Sequence, residues 1–181
     1  MSCQGLSLGR AQIIPATLLL ALNVLFFLGS SAAEGRMNAR CLDYDWIART
    51  QQFVVEVTSA QIPAVCISWA SQKRLNALVA SSLYGTTYHD PAAAFLPARF
   101  EVILADDLDP SSVIDRSYLV HELVHAQQYA RGAPGRSTCV GLLEGEAYSV
   151  QARYLRRHAL KQEAFLFQMM GMLQSACGID Y

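Results

Sequence analysis

A His-Glu-Leu-Val-His run at residues 121–125 combines residue types and a spacing that could do chemistry. On an α-helix, His121 and His125 are four residues apart and project from one face, so two imidazole nitrogens can bind one Zn²⁺. Glu122 is rotated by about 100° from His121, which places its carboxylate beside the metal rather than on it. A carboxylate there can take a proton from a zinc-bound water and pass it to a leaving amine. The run predicts a zinc site with Glu122 as general base.

The motif lies inside a predicted helix over residues 112–131, which begins after a serine pair and ends before a Gly and a Pro. The residues between and beside the motif positions are apolar, so the helix is predicted to be buried. Two buried histidines and a glutamate would each need a partner, and a metal ion provides one for the histidines. A coincidental match, the alternative, predicts a helical secreted domain that binds no metal.

A catalytic zinc ion of this kind has three protein ligands and one open position, so a third ligand is required. The metzincin extension is excluded, because Gln128 and Arg131 stand where Gly and His would be needed. Glu144 and Glu146 are the candidates, in a second predicted helix over residues 140–158.

The two glutamates lie on opposite flanks of the buried stripe of that second helix. Glu144 shares its flank with uncharged hydrogen-bonding side chains, Tyr148 and Gln151. Glu146 shares its flank with guanidinium groups such as that of Arg153, so a solvated salt bridge explains it. The flanks favour Glu144 as the metal ligand and leave Glu146 as the alternative.

With these residues the chain resembles the gluzincin-type zinc metallopeptidases, in a small minigluzincin-like form. Besides the first motif, residues 144–148 match the Glu-x-x-Ala-Asp block of that group, with Tyr148 in place of Asp. The resemblance implies a zincin-like α+β fold, Glu144 as third ligand, and hydrolysis of a peptide or protein substrate with zinc as cofactor. It also implies that the predicted strand at residues 99–104, which precedes the active-site helix, is the edge strand along which an extended substrate pairs.

Several further side chains could take part in catalysis. Tyr148 lies one turn from Glu144 and is the best candidate for stabilising an oxyanion. Tyr154 and His158 are weaker candidates, since His158 is about 21 Å along the helix from Glu144. His89 is predicted to be a loop residue or part of a lid over the cleft. A non-catalytic, zinc-stabilised binding or scaffold protein remains the alternative to an enzyme.

The remaining elements are predicted from hydrophobic periodicity and turn residues. The predicted helices and strands outside the motif are a helix at 42–60, strands at 64–69 and 99–104, and a helix at 161–174. A weak helical or irregular pattern continues to residue 83, and residues 85–97 are rich in turn residues. The Met and Phe side chains of the last helix are predicted to fill the core. The fold class is therefore α+β, mostly helical with a small sheet.

Length and charge limit the classes of function. The 181 residues suffice for one domain, and 14 Lys and Arg against 15 Asp and Glu leave a net charge of −1. Because like charges are not clustered, nucleic acid is excluded as a partner.

The N-terminus predicts export. Residues 13–28 are almost all apolar, follow Arg10, and end in small residues before Glu34. This pattern is typical of a signal peptide over residues 1–33, which leaves a single domain over 34–181 in the periplasm or outside the cell. A retained anchor is the alternative, and only that alternative makes the membrane a partner.

The cysteines of the mature segment are even in number: Cys41, Cys66, Cys139 and Cys177. In an oxidising compartment such a set predicts two disulfides. Three pairings are possible and the sequence does not choose among them.

Overall fold

The computed structural model describes residues 41–81, 90–135 and 139–177. Within them the chain is α+β and mostly helical. The elements in chain order are α1 (Asp45–Thr58), β1 (Cys66–Ala70), α2 (Gln72–Ala80), β2 (Ala93–Leu96), β3 (Glu101–Ala105), α3 (Val113–Ala130), α4 (Val140–Arg157) and α5 (Lys161–Gln174). None of the helices in these ranges is long and apolar enough to span a bilayer. The predicted signal peptide at residues 1–33 and His89 lie outside the described residues.

The three strands form a sheet in the order β1-β3-β2, with β1 parallel and β2 antiparallel to β3. The prediction that the strand before the active-site helix is an edge strand is therefore wrong, because β3 is central. All five residues of β3 are buried, and a nearly continuous apolar strand is typical of the inside of a sheet. Both β1 and β2 are edge strands, and β2 lies in a segment where the sequence predicts only turns.

Helix α3 carries the His-Glu-x-x-His motif and begins at an N-cap. The hydroxyl oxygen of Ser112 accepts a hydrogen bond from the backbone N–H of Asp115, at 3.2 Å. Three of the apolar residues around the motif, Leu119, Val120 and Leu123, are fully buried in a core shared with α1, the sheet and α4. The motif is thus held on a helix whose other faces are packed.

Helices α4 and α5 form a hairpin whose close contact depends on glycines. A Cβ at Gly141 would collide with the backbone oxygen of Gln174, and a Cβ at Gly145 would collide with the side chain of Ser175. A Cβ at Gly171 would lie 2.9 Å from the Cβ of Tyr148, below any normal contact. Because only glycine fits at these points, α5 lies directly against the helix that carries Glu144.

The outer side of α5 differs from the sequence prediction. Phe165, Met170 and Met172 are 63%, 42% and 54% exposed, so the prediction that the Met and Phe side chains of this helix fill the core is wrong for them. The buried residues of α5 are instead the small ones, Ala164 and Gly171. Small residues let two helices approach closely, which leaves the large side chains on the open side.

The two disulfides expected from the sequence are present. They join Cys41 to Cys66, between the chain before α1 and β1, and Cys139 to Cys177, across the open end of the α4–α5 hairpin. Two disulfides indicate an oxidising environment, as expected for an exported protein.

Candidate metal centre

The side chains of His121, His125 and Glu144 converge and could hold a metal ion, and we call these three residues the metal group. The two Nε2 atoms are 3.0 Å apart, the His121 Nε2 is 3.2 Å from Glu144 Oε2, and the His125 Nε2 is 3.3 Å from Glu144 Oε1. Ligands bound tetrahedrally at 2.0–2.1 Å from one zinc ion are about 3.3–3.4 Å from one another. The two nitrogens contact different oxygens of the one carboxylate, and these contacts of 3.0–3.3 Å are close to the spacing of a tetrahedral ion's ligands.

A hydrogen-bond chain fixes the orientation of His121. Ser117 donates its hydroxyl proton to the carbonyl of Ile114 at 2.6 Å, so its oxygen accepts from Gln151 Nε2 at 2.9 Å. The Gln151 amide is thereby oriented with Oε1 toward His121 Nδ1, at 3.1 Å. An oxygen acceptor at Nδ1 requires the proton to be on Nδ1, which leaves the Nε2 lone pair for a cation.

A second series of hydrogen bonds fixes the orientation of the His125 ring in the same way. Gln128 Nε2 donates to the carbonyl of Leu143 at 2.8 Å and to Glu146 Oε2 at 3.0 Å, and both partners can only accept. The Gln128 Oε1 therefore faces His125 Nδ1, at 2.8 Å, and Nδ1 carries the proton. Both histidines thus turn their Nε2 lone pairs toward the carboxylate of Glu144.

The two imidazole nitrogens and the two carboxylate oxygens are electron-rich, and such atoms in contact repel one another unless a cation lies between them. In the absence of a metal the smallest such cation is a proton on His125. Burial disfavours the charged imidazole, but its hydrogen bond with Glu144 and the charges of Glu122 and Glu144 outweigh this and raise the pKa of His125 to about 9. Burial likewise opposes the charge on Glu144, yet the imidazoles of His121 and His125 beside it hold the pKa of that carboxyl far below its usual range. The arrangement of these three side chains therefore stabilises a positive charge between them.

This raised pKa predicts how metal binding depends on pH. Below about pH 9 the metal must displace the proton from His125, so each rise of one pH unit from neutrality toward that value should increase Zn²⁺ affinity about tenfold. Above it the affinity should level off, because His125 is then already neutral. Competition with a chelator of known affinity, at several pH values, measures this. A zinc affinity that is constant over that range would contradict the prediction.

Glu146 lies apart from the converging atoms. Its Oε2 accepts hydrogen bonds from Gln128 Nε2 and from the guanidinium of Arg131 at the end of α3. The interpretation of Glu146 as a salt-bridged residue agrees with this, but its cationic partner is Arg131 rather than a residue of its own helix such as Arg153. Between the two glutamates, it is Glu144 that the fold brings to the histidines.

Glu122 lies beside the histidines and faces the cleft. Its Oε2 accepts a hydrogen bond from the backbone N–H of Phe95 in β2, at 2.7 Å. Its negative charge contributes to the raised pKa of His125, which requires the two side chains to be close. Glu122 is not among the three converging residues.

Tyr148, Tyr154 and His158 lie at different distances from the metal group. The ring of Tyr148 packs edge-on against that of His121, with centroids 4.5 Å apart, and faces the cleft. Tyr154 is buried against Phe53 at 5.0 Å, and His158 is exposed and packs on Tyr154. Only Tyr148 is near the metal group.

A cleft of about 510 Å³ gives access to the metal group. One wall is the chain from Asp90 to Pro97, which includes β2. The lining also includes Tyr118 of α3 and Phe167 and Met170 of α5. The open side of the metal group therefore faces a space that an edge strand and apolar side chains line.

Sequence reasoning missed the roles of Gln128 and of β2. Gln128 enters that reasoning only as a residue that excludes the metzincin pattern, although its place three residues after His125 on one helix was a usable signal. Gln151 is anticipated as an uncharged neighbour of Glu144, and it orients His121. The Ala-Ala-Phe-Leu segment of β2 is short, and alanine is depleted in strands, so it carries little signal.

The family described as Domain of unknown function (DUF6647) has a sequence profile that matches residues 39–180. No curated protein and no solved structure matches the chain. The match spans both helices that carry the metal group, and the family description names no activity.

Proposed function

Because the chain belongs to the DUF6647 family, whose function is unknown, its activity has to be inferred from the site, and we propose that it is a zinc-dependent peptidase of the gluzincin kind. His121, His125 and Glu144 bind the zinc ion, and Glu122 acts as general base. The observation that carries the proposal is the convergence of the three side chains, with contacts of 3.0 to 3.3 Å between their nitrogen and oxygen atoms, on the wall of an open cleft.

The donor set favours zinc over magnesium and calcium. Two imidazole nitrogens and one carboxylate, with a fourth position open, form a ligand set typical of catalytic zinc. Magnesium and calcium prefer six or more oxygen ligands, which this group does not offer. The amide oxygens of Gln128 and Gln151 at the two Nδ1 atoms provide the outer hydrogen bonds that such histidines need.

Zinc bound there would supply a polarised water and an electrophile for the substrate carbonyl. Glu122 takes the proton of the attacking water as the oxygen bonds to the carbonyl carbon. It then gives that proton to the amide nitrogen as the carbon–nitrogen bond breaks, so that a carboxylic acid and an amine leave. Tyr148, which packs on His121 beside the cleft, is the candidate donor for the developing oxyanion.

The edge strand for an extended substrate is β2 in this proposal. The pair Ala92 and Ala105 is hydrogen-bonded, with Ala105 N–H donating to Ala92 at 2.9 Å. Hydrogen-bonded pairs alternate along an antiparallel ladder, so Ala93 and Phe95 direct their backbone groups away from β3. A substrate main chain can pair with the N–H and carbonyl of Ala93 and with the carbonyl of Phe95, whose N–H is bonded to Glu122, while side chains enter the apolar part of the cleft.

The experiment that tests the proposal is a cleavage assay with and without metal. The disulfide-bonded protein, loaded with zinc, is incubated with a mixture of unstructured peptides, and new termini are identified by mass spectrometry. We expect cleavage that is lost with a zinc chelator and restored by added zinc. Bound zinc without cleavage of any peptide would favour the scaffold role over the peptidase.

A further inference from the structure

We propose that the backbone amide of Phe95 positions the catalytic base, by holding one oxygen of Glu122 so that the other is presented for proton transfer. This inference rests on the proposed function and adds a positioning residue to it. Its starting point is the 2.7 Å hydrogen bond from Phe95 N–H to Glu122 Oε2. A bond between an amide and a carboxylate is charge-assisted and stronger than one between neutral groups.

The register of the sheet makes this amide available. Phe95 pairs with Val102 at a position where neither residue contributes to the ladder bonds, so the Phe95 N–H points out of the edge of the sheet. Helix α3 passes that edge, and Glu122 meets the N–H there. The bond therefore joins the edge strand of the cleft to the helix that carries the metal ligands.

The ring of Phe95 is held on the same helix. It packs edge-on against Phe100 at 5.5 Å and Tyr129 at 6.0 Å, and those two rings are 5.7 Å apart. Tyr129 follows Glu122 by seven residues, two helical turns, and so lies on the same side of α3. Residue 95 is thus attached to α3 at two points, its amide and its ring, and cannot shift along the edge without losing one of them.

Phe100 stores backbone strain in this arrangement. Its φ is 51°, in the left-handed region that a bulky side chain rarely adopts. Phe100 lies in the turn from β2 to β3, and in this conformation its ring packs on Phe95. Strain of this kind persists only where the surroundings impose it, and the three packed rings do so here.

A catalytic base on a flexible side chain loses rate when its position varies. A displacement of about 1 Å can cost about a hundredfold in rate. With Oε2 held by Phe95, the carboxylate of Glu122 has one fixed orientation, and Oε1 is left to exchange the proton. The amide also becomes unavailable to the substrate, so a peptide on this edge can use both backbone groups of Ala93 but only the carbonyl of Phe95.

The test compares two substitutions at one position. Phe95→Ala removes the ring and keeps the N–H, whereas Phe95→Pro removes both. Proline is tolerated on edge strands where the N–H is outside the ladder, which is the case at residue 95. We expect kcat of Phe95→Pro to be about tenfold to a hundredfold below that of Phe95→Ala, with equal KM and equal zinc content. Equal kcat for the two variants would overturn the inference.

A second measurement does not depend on turnover or on the folding of the proline variant. In the zinc-loaded protein, the amide proton of Phe95 should resonate downfield and exchange slowly, as expected for a bond to a carboxylate. In Glu122→Ala that signal should move upfield and exchange faster. If Glu122→Ala abolishes cleavage but leaves the Phe95 amide unchanged, the inference fails and the peptidase proposal stands. If the zinc-loaded protein cleaves nothing, the proposed function fails and the inference fails with it.

Discussion

Replacing Glu144 by Gln is expected to reduce bound zinc from about one ion per chain to nearly none. The carboxylate contacts the Nε2 atoms of both histidines, at 3.2 and 3.3 Å, and supplies the only negative charge among the three ligands. A neutral amide at that place binds zinc far more weakly, and its NH₂ group would compete for the same lone pairs. Elemental mass spectrometry on protein purified without chelator measures the loss, and His125→Ala should give the same result.

Glu146→Gln is the matched control for this experiment. It makes the same chemical change two residues along the same helix, on a carboxylate that pairs with Arg131 rather than with the histidines. The Gln side chain keeps an oxygen that can accept the hydrogen bond from Gln128, so the support of His125 is retained. We expect full zinc content in this variant. Zinc lost only in Glu146→Gln, or absent from the unmodified protein, would contradict the ligand assignment.

The two helices that carry the metal group could be predicted from the sequence because their signals are local. A motif at helical spacing, an N-cap at Ser112 and a Gly after the last turn define α3 within a residue or two. The preference for Glu144 over Glu146 came from counting helix faces, and the fold brings Glu144 to the histidines. Such features depend on neighbours within a few residues, which the sequence displays directly.

The order of the sheet could not be predicted in the same way. Residues 101–105 give a clear strand pattern, but whether a strand is central or at an edge depends on which segments pair with it. The deciding partner is β2, whose four residues lie between Pro91 and Pro97. A short strand beside two prolines is typical of an edge, yet its pairing with β3 is a tertiary contact that overrides its weak local preference.

The last helix shows the limit of periodicity more strongly. Large apolar residues such as Phe165 and Leu173 suggest a buried helix, and in the structure they are exposed. What the sequence does encode is the row of glycines that lets α5 lie against α4, at Gly145 and Gly171. That row places Phe167 in the cleft, where its ring stacks on Tyr148. Glycine spacing was here the more informative signal.

Replacing Glu122 by Gln is expected to lower kcat by about 10²–10⁴-fold while zinc content stays the same. The substituted side chain has the same shape, and its amide oxygen can still accept the hydrogen bond from Phe95 N–H. It cannot take a proton from water at neutral pH, so both proton transfers of the proposed reaction are lost. Zinc should be unaffected because Glu122 is not among the converging ligands. The measurements are kcat on the best cleaved peptide and zinc per chain.

The pairing of these two readouts separates an enzyme from a metal-stabilised scaffold. A scaffold needs the three ligands but has no use for a base, so Glu122→Gln would leave its properties unchanged. A peptidase needs both, so the variant should keep its zinc, its melting temperature and its affinity for substrate, and lose turnover alone. If Glu122→Gln cleaves peptides at the rate of the unmodified protein, Glu122 is not the base. The hydrogen bond from Phe95 would then serve only to join the edge strand to α3.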